Sequence, residues 1–514
     1  MDNKEDISIF SILKNLMIEN VPSYANKIFY SLGFLSMTSF FILIITGVVM
    51  VSFGPDWWLT SPAGIFVRSI HLWATQAFVL FILLHVLIVF LTSGYKPPRQ
   101  LTWVLGALML SLVLAEAEFG YVLRNDFSSQ WRSLQGADFY NGSGLGRFIN
   151  TLNYGQIYGI HIIIMPLLLI VLLFLHYLLI KTRGIAKPYK KDFKYKMVRA
   201  NHSILFVRGG VLAGVIVILA LLFPSPLIAP VTIKQVAIED PALMAKTLLS
   251  EMNHTSDTAT YMDSIDPYKF DTRKVYIEMP YKDYISLSNN EAPRSKRGIK
   301  AKFPRSQQPH FAKATLGVPL SPSSSEQAPR FSAKGNKNML AVFNHETKQK
   351  QDQDMKQAGD YFAAHFALYT SQNLQNPVIP IISSLVLMAK SGLYESFLKN
   401  QPFQGYNLTY TLRFLSDTGT LENKADVLKI TTDQYGMLRE GKGFLPPGAW
   451  WLAPLGVLDN TVLKNDDNQD RDGAEILGVL MLLLVAFPYI PILNDLPEKL
   501  GFYKFFWKDT AEKF

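Results

Sequence analysis

Apolar residues run almost unbroken through six stretches, about Ile28 to Phe53, Phe66 to Leu91, Leu101 to Leu123, Ile157 to Ile180, Leu205 to Phe223 and Ile476 to Leu493. Each approaches or exceeds the ~20 residues a helix needs to cross a bilayer. The pattern predicts an all-α membrane protein. The segment before the first run is polar and has no small-residue cleavage signal, so that run reads as a retained helix. Between the fifth and sixth runs lies one long excursion, about residues 230 to 473. Within it, Val275 to Leu287 reads as a strand or a short helix, and Asp360 to Leu398 as helix broken near Pro377 and Pro380. Val378 to Met388 is too short to span, and reads as a core or interfacial helix rather than a seventh crossing. Arg294 to Lys356 is basic, rich in Pro, Ser, Gln and Lys, and reads as extended.

Composition agrees with a membrane protein carrying a substantial soluble part: 49% apolar, 13% aromatic and 18% charged residues. The net charge of +9 gives no case for a nucleic-acid partner, because much of it flanks the apolar runs. Lys96 and Arg99 follow the second run, and Lys181, Arg183, Lys187, Lys190, Lys191 and Lys194 the fourth. The positive-inside rule then makes those loops and both termini cytoplasmic and the excursion extracytoplasmic, in a multi-pass protein of a bacterial-type inner membrane. With no cysteine in the chain, disulfides, thiolate-bound clusters and thioether-linked haem are excluded.

Two histidine pairs lie inside the runs, His71 with His85 and His161 with His176. Fourteen residues return to within about 40° of a whole number of helical turns, and fifteen overshoot by about 60°. Each pair therefore faces one sector, its members roughly 21 to 23 Å apart. Ionisable groups at such depth are costly without a task, and the layout suits two stacked metal centres.

These histidines lie in strings that resemble cytochrome b of the quinol-oxidising bc complexes: NKIFYSLG, VRSIHLW, LLHVLIVFLTSGYKPPRQLTWVLG, FGYVL and GIHIIIMPLLLIVLLFLHYLLIKTRGI. Gly33 and Gly47 are fourteen apart, as are Gly106 and Gly120. The resemblance covers about residues 20 to 187 and is nearest to the chloroplast-type branch. It implies a four-helix bundle with two non-covalent haem b groups, each held by two histidines, and glycines where porphyrin meets backbone. His71 and His161 would hold the low-potential haem, His85 and His176 the high-potential one. Arg68 would serve the propionates of the first. Lys96 and Arg99 either serve those of the second or mark the membrane boundary.

The implied organisation is a dihaem bundle over 1–189, a fifth helix over 190–230, an inserted domain over 231–445, and a degenerate quinol loop, sixth helix and tail over 446–514. Quinone or quinol would be the substrate, and iron-sulfur (Rieske-type) or c-type cytochrome subunits the partners, in a complex that is dimeric in the family. Two departures bear on mechanism. The family's Pro-Glu-Trp-Tyr corresponds here to Pro447, Gly448, Ala449, Trp450 and Trp451, without the carboxylate, and its Leu-Pro-Trp-Asp to Leu123, Arg124, Asn125 and Asp126. Glu116 and Glu118, in the outer third of the third run, either replace the missing base, with Arg68 or Arg124 as partner, or form structural ion pairs. His202 falls where the family has an acidic residue of the inner quinone site, and is either a proton shuttle or an ordinary interfacial histidine. Ser31 replaces the cysteine that tethers a third haem in the chloroplast branch. A single-face electron conduit and a haem-free scaffold are the alternative functions.

Overall fold

The structure, a computed structural model, describes residues 20–186, 196–264, 270–290, 339–364, 376–399, 406–440, 443, 445–466 and 469–504. Lys187, Lys190, Lys191, Lys194 and residues 294–338 of the basic segment lie outside them. Among the described residues, six helices are long and apolar enough to cross a membrane: Ile28–Phe53, Pro62–Leu91, Gln100–Val122, Tyr154–Arg183, His202–Leu222 and Arg471–Tyr489, called spans one to six below. The all-α membrane architecture expected from the apolar runs is thus observed. The sole strands among the described residues, Asn20–Pro22 and Met197–Arg199, form one antiparallel pair.

Lipid-type packing explains the faces of these helices. Span one buries Ser36, Ser39 and Thr46 while exposing Phe41, Val48 and Phe53. Small and hydroxylated residues allow close helix approach where no water drives association. Their hydroxyls return to carbonyls of their own helix, as Ser36 does to Leu32 and Ser39 to Leu35, so the buried oxygens are satisfied. Span one packs on span two, and span three on span four. Span six is tied to span three by the Trp103 indole, which donates to the Leu484 carbonyl at 2.7 Å.

The excursion is a helical domain, called the insert here. Its central helix, Val378–Ser391, ends at Gly392, whose φ of +83° admits glycine at no strain, and the next helix turns away by 86°. Val378, Ile381, Ile382, Leu385 and Ala389 are fully buried beneath neighbouring helices, so this is a core helix and not a seventh span. Of the two readings of Val275 to Leu287, the helical one is observed, as a π turn Lys274–Glu278 running into Met279–Asn290. The insert core is continuous with the ends of spans three and four, through Phe119, Val122, Tyr154 and Ile157. The membrane face carrying the insert is called the insert face below.

Candidate haem and quinol site

Each of the four histidines is matched by one of the four glycines. A Cβ built on Gly47 would lie 3.7 Å from His71 Cε1, and one on Gly120 would lie 3.1 Å from His161 Cε1. On the second level, Gly33 faces His85 at 3.6 Å and Gly106 faces His176 at 3.4 Å. These notches come from spans one and three, while the imidazoles come from spans two and four. The His71 and His161 ring centroids are 6.4 Å apart. Two metal–nitrogen bonds of about 2 Å plus two ring radii come to about 6 Å, so the pair fits a bis-imidazole metal. Paired, half-buried imidazoles flanked by glycine notches are the donor set a haem b demands.

The unequal spacing of the two pairs has a local cause. Ile160–Ile164, which contains His161, is a π turn inside span four. Such a turn takes up one extra residue, so the fifteen-residue separation of His161 and His176 behaves in phase like the fourteen of His71 and His85.

At the insert face the chain from 445 onward folds down onto the bundle. The Gln76 amide donates to the carbonyls of Pro447 at 3.0 Å and Gly448 at 3.1 Å and to the Tyr121 hydroxyl at 3.2 Å, and accepts from the Trp450 indole at 2.8 Å. The Trp451 indole donates to Glu118 at 3.1 Å, and Arg132 donates to the other Glu118 oxygen at 2.9 Å. Arg132 also lies over the Tyr121 ring, 4.1 Å from its centroid. It is delivered by helix Phe127–Gly142, which starts where Asp126 caps Ser129 in a reciprocal capping box.

The two acidic residues of span three therefore have partners other than those expected. Glu118 pairs with Arg132, and Glu116 Oε1 lies 3.0 Å from His161 Nδ1. Arg68 and Arg124 instead converge on fully buried Asp126, at 3.5 and 3.1 Å. Arg124 also binds Glu440, and both arginines donate to the Pro226 carbonyl, at 3.3 Å from Arg68 and 2.7 Å from Arg124. The expectation failed because Asp126 and Glu440 are nearer counter-charges, brought in by the turn after span three and by the insert.

At the opposite face Lys96 binds Asp495 and Glu498. Burial pulls its ammonium down, but the two carboxylates outweigh this and hold it above the ordinary lysine range. Arg99 donates to the Gly94 carbonyl at 3.2 Å. His202 opens span five beside its capping residue Asn201. Sequence reasoning missed Thr46, whose hydroxyl oxygen is 2.8 Å from His71 Nδ1, along with Gln76, Arg132 and Glu440. A hydroxyl adjoining Gly47 was a usable signal for Thr46. The others meet partners hundreds of residues away or across a turn, which periodicity does not reveal.

Residues 76–235 match the family model described as cytochrome b (N-terminal)/b6/petB. Cytochrome b6 of Heliobacterium modesticaldum is 32% identical over 199 residues, which cover 34% of this chain and 93% of that protein. Cytochrome b6 of Heliomicrobium gestii is 31% identical over the same shares, and that of Heliobacterium mobile 30% identical over 35% and 95%. A chain of a solved structure titled hyperthermophilic respiratory Complex III aligns over 76% of this chain and 98% of its own, at 16% identity and a TM-score of 0.36. The class is a multi-pass, all-helical electron-transport protein. The chain belongs to the cytochrome b/b6 family.

Proposed function

We propose that the chain is the dihaem cytochrome b subunit of a bc-type quinol oxidoreductase. The observation that carries this is the one-to-one facing of four histidines by four glycines on two levels. His71 and His161 hold one haem b near the insert face, and His85 and His176 hold the other. Thus bound, haem b supplies a one-electron carrier whose potential the protein sets.

The quinol site lies beneath Trp450 and Trp451, against Gln76, Tyr121 and Glu118. Gln76 fixes Trp450 to span two, and Glu118 accepts the proton of a quinol hydroxyl. Trp451 and Arg132 aim that carboxylate, and Arg132 balances its charge. His202, at the opposite face, is the candidate for proton exchange with a second quinone. Arg68 is committed to Asp126 and acts on a propionate only as part of that cluster, whereas Lys96 anchors the C-terminal segment. The domain boundaries expected from the sequence are retained as 1–189, 190–230, 231–445 and 446–514. The excess of lysine and arginine favours a cytoplasmic opposite face. The insert then offers the docking side for an iron-sulfur or c-type cytochrome subunit in a multi-subunit assembly.

The purified protein is expected to yield two extractable haem b per chain. Alanine at His71 or His161 should remove one and alanine at His85 or His176 the other; a preparation without haem b overturns the reading. Glu118→Gln should keep both haems and slow quinol oxidation by about 10²- to 10⁴-fold. The string Pro447 to Trp451, without the family's carboxylate, favours a second reading in which both quinol electrons enter the b haems. Counting electrons found in haem b per quinol, with the partner subunit present, separates the two: one for divided delivery, two for the single-face conduit.

A further inference from the structure

We propose that Glu116 is a positioning residue for His161 that lowers the reduction potential of the insert-face haem, an inference that rests on the bis-histidine reading above. Span three presents both features to one ring. Glu116 stands one turn before Gly120, with Oε1 3.0 Å from His161 Nδ1, while Gly120 backs the same imidazole. The contact is an ion-pair approach and not an aligned hydrogen bond, so Glu116 acts on the ring through its charge, with Nε2 the nitrogen left for iron.

The facing ligand has a different partner. The Thr46 hydroxyl donates to the Ile42 carbonyl at 2.8 Å, so its oxygen, 2.8 Å from His71 Nδ1, is left to accept that N–H. One axial imidazole thus leans on a neutral hydroxyl and the other on a carboxylate. A negative charge beside the imidazole favours the oxidised metal. Spans one to four contain two glutamates in all, Glu116 and Glu118, and Glu118 belongs to Trp451 and Arg132. His85 and His176 therefore have no such partner within their own bundle. The asymmetry confines the carboxylate's effect to the insert-face haem.

The test is a redox titration of the haem b bands in the purified full-length protein, with His161→Ala assigning the insert-face signal. In Glu116→Gln, which keeps the side chain's shape and removes its charge, the insert-face haem should become easier to reduce. Its reduced-to-oxidised ratio at the parent midpoint should rise about tenfold, ~59 mV for one electron. The opposite-face midpoint should stay in place. Unshifted midpoints with both haems present overturn the proposal, as does an equal shift of both, which marks a general change of field. If Glu116→Gln loses haem, Glu116→Asp serves: a partial shift confined to one haem supports the proposal, and an unmoved midpoint overturns it. A parent protein lacking haem b defeats the underlying reading as well, which separates that failure from the others.

Discussion

Gly448 lies in the string that replaces the family's Pro-Glu-Trp-Tyr, and the surrounding backbone leaves no room for a side chain there. A Cβ there would lie 2.4 Å from the Met437 carbonyl oxygen and 2.5 Å from that of Arg439. Placing a glutamate there by Gly448→Glu should therefore fail to supply the family's chemistry. Trp450 and Trp451 should be displaced at a cost of about 1–3 kcal/mol, with quinol-driven haem reduction lost and both haems retained. Stopped-flow reduction by quinol checks this, and a Gly448→Glu variant faster than its parent contradicts it. At this scale the histidines and glycines were legible because their spacing is helical and their chemistry is expensive in lipid. Gln76 and Arg132 were not, because each gains its meaning from Trp450, Trp451 or Glu118 through folding of the insert and its neighbouring loop.

Among the helices, the π turn Ile160–Ile164 is what reconciles a fifteen-residue spacing with a fourteen-residue geometry. Deleting Ile163 should convert that turn to α-helix and leave His161 and His176 on one face, with both haems bound. Inserting an alanine after Leu168 should instead swing one histidine by about 100° and cost one haem. Haem-to-protein ratios distinguish the two outcomes, and loss of haem in the deletion would refute the assignment of phase. Span positions followed from apolar length alone, and the observed helices match the expected runs except that the sixth ends at Tyr489, before the expected Leu493. The π turn was hidden because an apolar run looks the same whether its turns are α or π.

For the molecule as a whole, the insert holds a buried acid pair. Glu251 is fully buried and accepts from Ser256 at 2.8 Å, and Asp417 accepts from the Thr258 amide at 2.9 Å. Burial, then the hydrogen bond and charge of Asp417, push Glu251 up to about 9, and burial raises Asp417 as well. A carboxyl raised on folding binds more protons in the folded state. Its contribution is complete below the ordinary carboxylate range and is lost as pH climbs toward 9. Thermal unfolding followed by circular dichroism in detergent should show stability falling across that window, with a shallower slope in Glu251→Gln. An identical slope in the variant would rule out the pair as its source. The existence of a folded insert was legible from its apolar stretches; its fusion with the ends of spans three and four was not, since Phe119 and Ile157 read as membrane residues. The bond from Trp103 to Leu484 has a bearing on biogenesis. A ribosome must synthesise the entire insert after span three is finished and before the chain it grips exists. Assembly is thus discontinuous, with an indole waiting in the bilayer for a mate that emerges some 380 residues later.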